Sequence, residues 1–494
     1  MNFDFIIPLF IFTSYLYGAG KLFSPHNTLI ETFAFGLASL PVIGVIFNTL
    51  HIPLDWRIFF GLAMLAPAYQ LVQWMKGGCR ITKPAFKRPS WQIVTVLIVF
   101  IFALRVYYWG PFQYPWLEND DSWSHAASIK YVAVEKNLNA PDGLFQYLNP
   151  YPPAYAIIIG LLHQVSPSLY WTLKFFNGLI ICLGFLFFYA FTENLTKSRG
   201  KAALSVFFLA LIPCYLTHFI WSHALVVTLF FPAFHFLLKS FTEKKYIIPA
   251  AVCCAAIALT QPTQAIKFAV MAALLIAAFI PQKIQWKNIG LVFLISGILS
   301  LLWWGPIIAN TWHGRSQIAL RDETRIAGST QNTANVAQAI FSPAGGTATR
   351  AYTWDDYAFI AKPNLINNPT GLGPMFLLLA FLGLVFLMMH LFKRPARPDQ
   401  PYLLTILLWL IFTFLGMNSM TFNLPIGLFA FRFWMLFAIP VSFLCAEAIY
   451  SINDVLQFKW NKILVIGLFI FAVIRVNLPF KWNFNTGEWH YGIH

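Results

Sequence analysis

Charge is what this sequence has least of. Only 10% of its 494 residues are Asp, Glu, Lys or Arg, whereas a water-soluble chain carries about a quarter. With 59% of the residues hydrophobic and a mean hydropathy of +0.65, the apolar surplus needs lipid to face, which excludes a soluble globular protein. Strand-like alternation is scarce as well, and the apolar segments are too long and uniform for an outer-membrane barrel. Cysteine is sparse. Five of the six (Cys182, Cys214, Cys253, Cys254, Cys445) sit inside apolar segments and Cys79 in a basic loop, so no disulfide framework or zinc spacing is present. The segment from Phe5 to Tyr17 lacks a basic leader and a small-residue cleavage site, and reads as a retained span.

What remains is a succession of apolar runs near the length of about 20 residues that crosses a bilayer as a helix. They predict 14 spans, near 5–20, 29–50, 58–75, 92–112, 169–191, 202–217, 224–238, 246–260, 264–281, 289–310, 371–392, 402–418, 430–450 and 463–478. The fold class expected is all-α, a polytopic transmembrane helical bundle. Residues 1–75 form three accessory N-terminal spans and 76–494 the main module.

The net charge of +15 does not point to nucleic acid, because Lys and Arg cluster in short loops between spans. The run 154–165, set between Tyr151-Pro152-Pro153 and Ser166-Pro167, is too short to cross and is expected to be an interfacial or re-entrant helix on the outer side. With it left out, the short loops hold 19 Lys and Arg and the opposite side 9. That is the positive-inside bias of a multi-pass protein of the plasma (inner) membrane, in contact with membrane lipids. Two long loops, 113–168 and 311–370, then face outward, where chemistry has room.

Eighteen acidic residues exist in all, and three fall within four positions: Glu118, Asp120 and Asp121. Mutual repulsion makes such a cluster costly unless a proton or cation is shared there. One Asp would serve as a helix N-cap for the amphipathic stretch Ser122 to Leu138, and three exceed that need. The hairpin Thr217 to His223 offers His218 and His223 as metal ligands, or as ordinary interfacial residues beside Trp221. Arg105, Lys174, Lys267, Arg432 and Arg475 lie within spans, where a cation either snorkels or holds a lipid phosphate. The second outer loop carries Arg315, Arg321 and Arg325, a Gly/Ser/Thr/Asn-rich middle suited to a substrate lid, and Asp355-Asp356 as a second acidic site.

Glu118-Asn119-Asp120-Asp121-Ser122-Trp123-Ser124-His125, followed by Tyr151-Pro152-Pro153-Ala154-Tyr155, resembles the first outer loop of GT-C superfamily membrane glycosyltransferases. These include oligosaccharyltransferases, protein O-mannosyltransferases and lipid A aminoarabinose transferases. The motif covers about 115–160 and the architecture about 92–480. The resemblance implies a GT-C-like fold and an inverting transfer of sugar from a polyprenyl-phosphate-linked donor to an acceptor on the extracytoplasmic face. It implies Asp120 as general base, with Asp121 the alternate, and Arg432, Lys267 and Arg105 on the donor phosphate. Glu118, Asp120, His218 and His223 are the candidate ligands of a divalent cation, Mg or Mn; the family holds metal-dependent and metal-independent members. His218-x4-His223 departs from the family in lacking a carboxylate in the second hairpin. Two rival readings stand: an O-antigen polymerase or ligase working through the 311–370 loop, and a non-enzymatic transporter or flippase.

Overall fold

A computed structural model describes residues 6–23, 28–76, 90–141, 147–148, 151–282, 284–312, 350–359, 369–393, 400–425, 428–456 and 459–486. The ordered elements among them are helices, with no strand. In chain order these are α1 (Ile6–Phe23), α2 (Leu29–Thr49), α3 (Trp56–Met75), α4 (Trp91–Trp109), α5 (Asp120–Glu135), α6 (Ala154–His163), α7 (Leu169–Thr196), α8 (Arg199–Leu211) and α9 (Ser222–Ser240). There follow α10 (Ile247–Ala258), α11 (Pro262–Phe279), α12 (Trp286–Trp312), α13 (Trp354–Ala358), α14 (Pro374–Lys393), α15 (Gln400–Met417), α16 (Trp434–Val455) and α17 (Lys459–Thr486).

Eleven helices among the described residues are long and apolar enough to cross a membrane. The other three expected spans correspond to α1, α8 and α10. For α8 and α10 the shortfall has a cause in proline. Pro213 pushes Ile212 into the extended region (ψ 121°), and Pro262 does the same to Gln261 (ψ 117°) while opening α11. The helices stop at 13 and 12 residues, about 20 and 18 Å of rise against a hydrocarbon core of about 30 Å. Both hairpins therefore turn back early, where Ser122 Oγ at the start of α5 donates to the Ile220 carbonyl (3.0 Å) and the Ala154 N–H of α6 to that of Leu259 (2.9 Å); the recess is the buried region floored by these turns, at one end of the bundle.

Residues 212–221 in that floor are non-helical and buried throughout. Such backbone survives at membrane depth only when the protein supplies its hydrogen bonds, and here it does. Tyr107 Oη donates to the Leu216 carbonyl (3.1 Å), and Asn177 Nδ2 to those of His218 and Phe219 (3.0 and 3.1 Å). Lys481 Nζ of α17 donates to the carbonyls of Tyr215 and Leu216, and the His218 N–H donates to Asn485 Oδ1 (3.1 Å). Gly110 permits this last approach, since a Cβ there would meet the Asn485 carbonyl and the His218 ring.

The hairpin of α5 and α6 lies over this end. At 10 residues α6 is too short to cross, and all but its last residue are buried. The N-terminal helices pack on the same body. Gly18 and Gly36 let α1 close on α3 and α2, where a Cβ would strike the backbone of Ala63 and Leu16. At the opposite end from α5, buried Glu31 of α2 takes hydrogen bonds from His235 Nε2 (2.8 Å) and from Lys239 of α9.

Candidate active site

The three acids of the first long loop occupy three different environments. Asn119 is the N-cap of α5, accepting from the N–H of Asp121 (3.1 Å), so the capping role falls to it. Glu118 is buried and accepts from Tyr114 Oη (2.6 Å) and Ser122 Oγ (3.1 Å), with His218 Nε2 3.9 Å away. Burial pushes its carboxyl above the usual glutamate range, against the Tyr114 and Ser122 hydrogen bonds. Asp121 is half-buried and accepts from Tyr147 Oη at 2.5 Å. Asp120 is exposed, its Oδ1 taking the Asp121 N–H (3.0 Å).

One helical turn beyond Asp121, on the same face of α5, His125 points into the bundle. It is enclosed by the rings of Tyr147, Tyr151 and Tyr155 at 5.0, 5.7 and 5.2 Å. Its Nε2 accepts the Ser222 N–H (3.3 Å), and burial lowers its pKa to about 3, so it is neutral near pH 7. Tyr151 Oη and Ser222 Oγ lie 2.5 Å apart, tying the α6 approach to the start of α9.

Beneath His125 the recess becomes cationic. His223 of α9 interacts electrostatically with His125, Arg432 and Lys267, and Lys267 with Arg432. Lys267 Nζ lies 4.1 Å over the Phe433 ring; the Arg432 guanidinium sits against Phe429 (4.7 Å), Phe431 (5.3 Å) and Trp221 (5.8 Å). Among the described residues, Lys267 Nζ, Arg432 Nε and Nη1, both ring nitrogens of His223 and both amide atoms of Gln264 have no hydrogen-bond partner. Each such buried polar atom costs on the order of 1–3 kcal/mol until something meets it. The turn presenting Arg432 is itself strained, with Leu428 and Phe429 at φ 51° and 54°. A neighbourhood of two cations and neutral donors, with no carboxylate among the described residues pairing them, suits a multi-oxygen anion.

No family model matches the chain, and no curated protein sequence matches it. Among solved structures it is similar to the apo crystal structure of the Archaeoglobus fulgidus oligosaccharyltransferase, with a TM-score of 0.54 and 13% identity. The alignment covers 81% of this chain and 57% of that one, so the chain spans little more than half the neighbour's length. The fold is GT-C-like. With its eleven long apolar helices the chain is an integral membrane protein of that architecture, and at this identity the likeness is one of fold alone.

The structure sorts the residues expected from sequence. Arg432 and Lys267 come together in the recess, and Arg105 does not join them. It is exposed on α4, stacked 3.7 Å over Trp109 and 5.6 Å from Trp482. The four expected metal ligands do not form one set, and among the described residues no three His, Cys, Asp or Glu side chains gather as ligands. Glu118 and His218 meet over Tyr114, His223 lies with the two cations, and Asp120 is exposed at the start of α5. Arg315, Arg321 and Arg325 lie outside the described residues. Asp356 is taken up by Arg350 in a bidentate pair (2.8 and 2.5 Å), which makes it the anchor of α13; Asp355 is exposed. A hollow of about 390 Å³ behind Tyr114, walled by Phe112, Tyr170 and Trp171, offers Lys174, whose Nζ is given to the Tyr114 carbonyl (2.5 Å), and Gln113, whose Nε2 is given to the Trp109 carbonyl (3.1 Å). Sequence reasoning missed Tyr147, Gln264 and Lys481. Only Lys481 had a legible signal, four residues from both Asn477 and Asn485 on one buried face of α17.

Proposed function

We propose that this chain is a GT-C-like membrane glycosyltransferase that moves a sugar from a polyprenyl-phosphate-linked donor to an acceptor on the extracytoplasmic face. The observation that carries the reading is the partnerless cationic floor of Lys267, Arg432 and His223 beneath an acidic helix start, linked through His125. The donor phosphate rests on that floor, with Gln264 and His223 completing its hydrogen bonds. The prenyl chain leaves through the apolar flank of the bundle, and the sugar carbon faces the α5 N-terminus.

Asp120 is the base, because Asp121 already holds the Tyr147 hydroxyl. As the acceptor's oxygen or nitrogen attacks the anomeric carbon, its proton passes to the Asp120 carboxylate. The bond from that carbon to the phosphate oxygen breaks, and its electron pair stays on the departing polyprenyl phosphate. Lys267 and Arg432 stabilise the charge that develops there, in a recess of low dielectric where such interactions are strongest. Attack from the face opposite the phosphate inverts the anomeric configuration. His223 is assigned to the phosphate and not to a metal, since Lys267 and Arg432 beside it repel a divalent cation.

Binding of a labelled polyprenyl-phosphate-sugar to purified protein tests the floor. Arg432→Ala is expected to weaken binding by roughly tenfold or more, in line with about 1.5–3 kcal/mol for a hydrogen bond to a charged group. Unchanged affinity removes Arg432 from the donor site.

A further inference from the structure

The turn between α2 and α3 lies outside the chemistry just described, yet it grips the far ends of both helices that cover the site. The Lys136 carbonyl, at the C-terminus of α5, accepts the Leu54 N–H (2.7 Å), and Lys136 Nζ donates to Asp55 Oδ2 (2.6 Å). Asn48 Oδ1 accepts the Leu138 N–H (2.8 Å). Gln164, just past α6, donates its Nε2 to the Leu54 carbonyl (2.6 Å) and accepts the Trp56 N–H at Oε1 (2.9 Å).

Lys136 also adopts a conformation that its residue type disfavours. It ends α5 at φ 54°, ψ 30°, the left-handed position that glycine fills most easily. Here both its carbonyl and its ammonium are bound to the α2–α3 turn. Helix α5 is 16 residues long, a rod of about 24 Å. At its other end stand Asp120 and Asp121, while its C-terminal half packs on α6 where Gly160 closes on Val132. Fixing the C-terminal ends of α5 and α6 together sets the tilt of the rod and therefore the height of its carboxylates over the recess.

We infer that the α2–α3 turn is a positioning brace for the transfer reaction, with Asp55, Lys136, Asn48 and Gln164 as its positioning residues. The inference rests on the reading that Asp120 acts at the start of α5. The three N-terminal helices are then a working part of the enzyme and not an appended module. A displacement of about 1 Å at reacting groups costs up to about a hundredfold in rate, so small losses of grip are visible in turnover.

Lys136→Gly is the informative variant, because it relieves the backbone while deleting the ammonium and so folds. In the full chain it is expected to lower the transfer rate at saturating donor by roughly tenfold and to leave donor KM within about twofold, since the cationic floor is untouched. Lys136→Arg, which keeps a cation on Asp55 and leaves Asp55 as the N-cap of α3, is expected to keep at least half of the wild-type rate. Wild-type turnover by Lys136→Gly alongside an inactive Asp120→Asn overturns the brace and leaves the active site standing. So does a raised KM at unchanged turnover. If even the wild type transfers no sugar, the functional reading fails and the brace is judged by hydrogen exchange at the α5 amides. Faster exchange in Lys136→Gly, with wild-type exchange in Lys136→Arg, supports it; unchanged exchange in Lys136→Gly overturns it.

Discussion

Replacing Lys267 with Met separates what the recess costs from what it does. Met is unbranched and only one atom shorter, so most of the packing is kept while the charge is lost. In the unliganded protein Lys267 is fully buried without a hydrogen-bond partner, compensated only by the ring 4.1 Å away. A cation–π contact offsets about 2 kcal/mol, whereas the effective penalty of burying an ion is several kcal/mol. Lys267→Met is therefore expected to stabilise the empty protein by about 1–3 kcal/mol. Against the donor the sign reverses. A phosphate oxygen hydrogen-bonded to the ammonium contributes about 1.5–3 kcal/mol, so affinity falls by roughly 10- to 150-fold. Thermal unfolding in detergent, with and without polyprenyl phosphate, reads both effects at once. The expected pattern is a raised Tm for the empty variant and a lost or much reduced gain on adding the lipid phosphate. A lowered Tm with an undiminished lipid-dependent gain refutes the reasoning and makes Lys267 a structural cation.

Tyr147→Phe and Asp121→Ala each remove the same 2.5 Å hydrogen bond, so their effects on transfer are expected not to add in the double variant; additive losses contradict the tether assigned to Asp121. Glu118→Ala strips acceptors from the buried Tyr114 and Ser122 hydroxyls and is expected to cost about 1–3 kcal/mol in unfolding experiments, with Glu118→Gln milder; an Ala variant as stable as wild type removes Glu118 from its structural role. At Asp356 burial works to raise the carboxyl pKa, and the Arg350 guanidinium and Thr353 N–H outweigh it, holding it below the ordinary 3.8. A depressed carboxylate contributes stability above its unfolded value and loses it as pH falls through the folded one. Acid titration below about pH 4 is thus expected to destabilise the wild type more steeply than Arg350→Gln, and parallel curves contradict this.

Most of the bundle was legible because lipid imposes apolar runs of a fixed length, and the short 154–165 run declared itself by falling below that length. Apolar letters alone do not mark where a helix stops. The runs 202–217 and 246–260 read as spans by composition, yet α8 stops at Leu211, just before Pro213, and α10 at Ala258, just before the turn that leads to Pro262. Arg105 and Arg432 look alike in sequence, each an arginine among aromatic and aliphatic residues. Only packing shows that Arg105 lies exposed on α4 while Arg432 turns inward on a strained loop between α15 and α16. The acidic cluster was visible from its density in an acid-poor chain. The differing fates of its members were not, since they depend on Tyr147, Ser122 and His218, which the chain brings in from afar.

The central claim is sugar transfer with Asp120 as base. The direct test is transfer of labelled sugar from polyprenyl-phosphate-sugar in membranes, comparing wild type with Asp120→Asn, while donor binding is followed in the same preparations. Transfer by the wild type and none by Asp120→Asn, at equal donor binding, is the predicted result. Wild-type transfer by Asp120→Asn contradicts it, and the base must then be sought elsewhere around the recess.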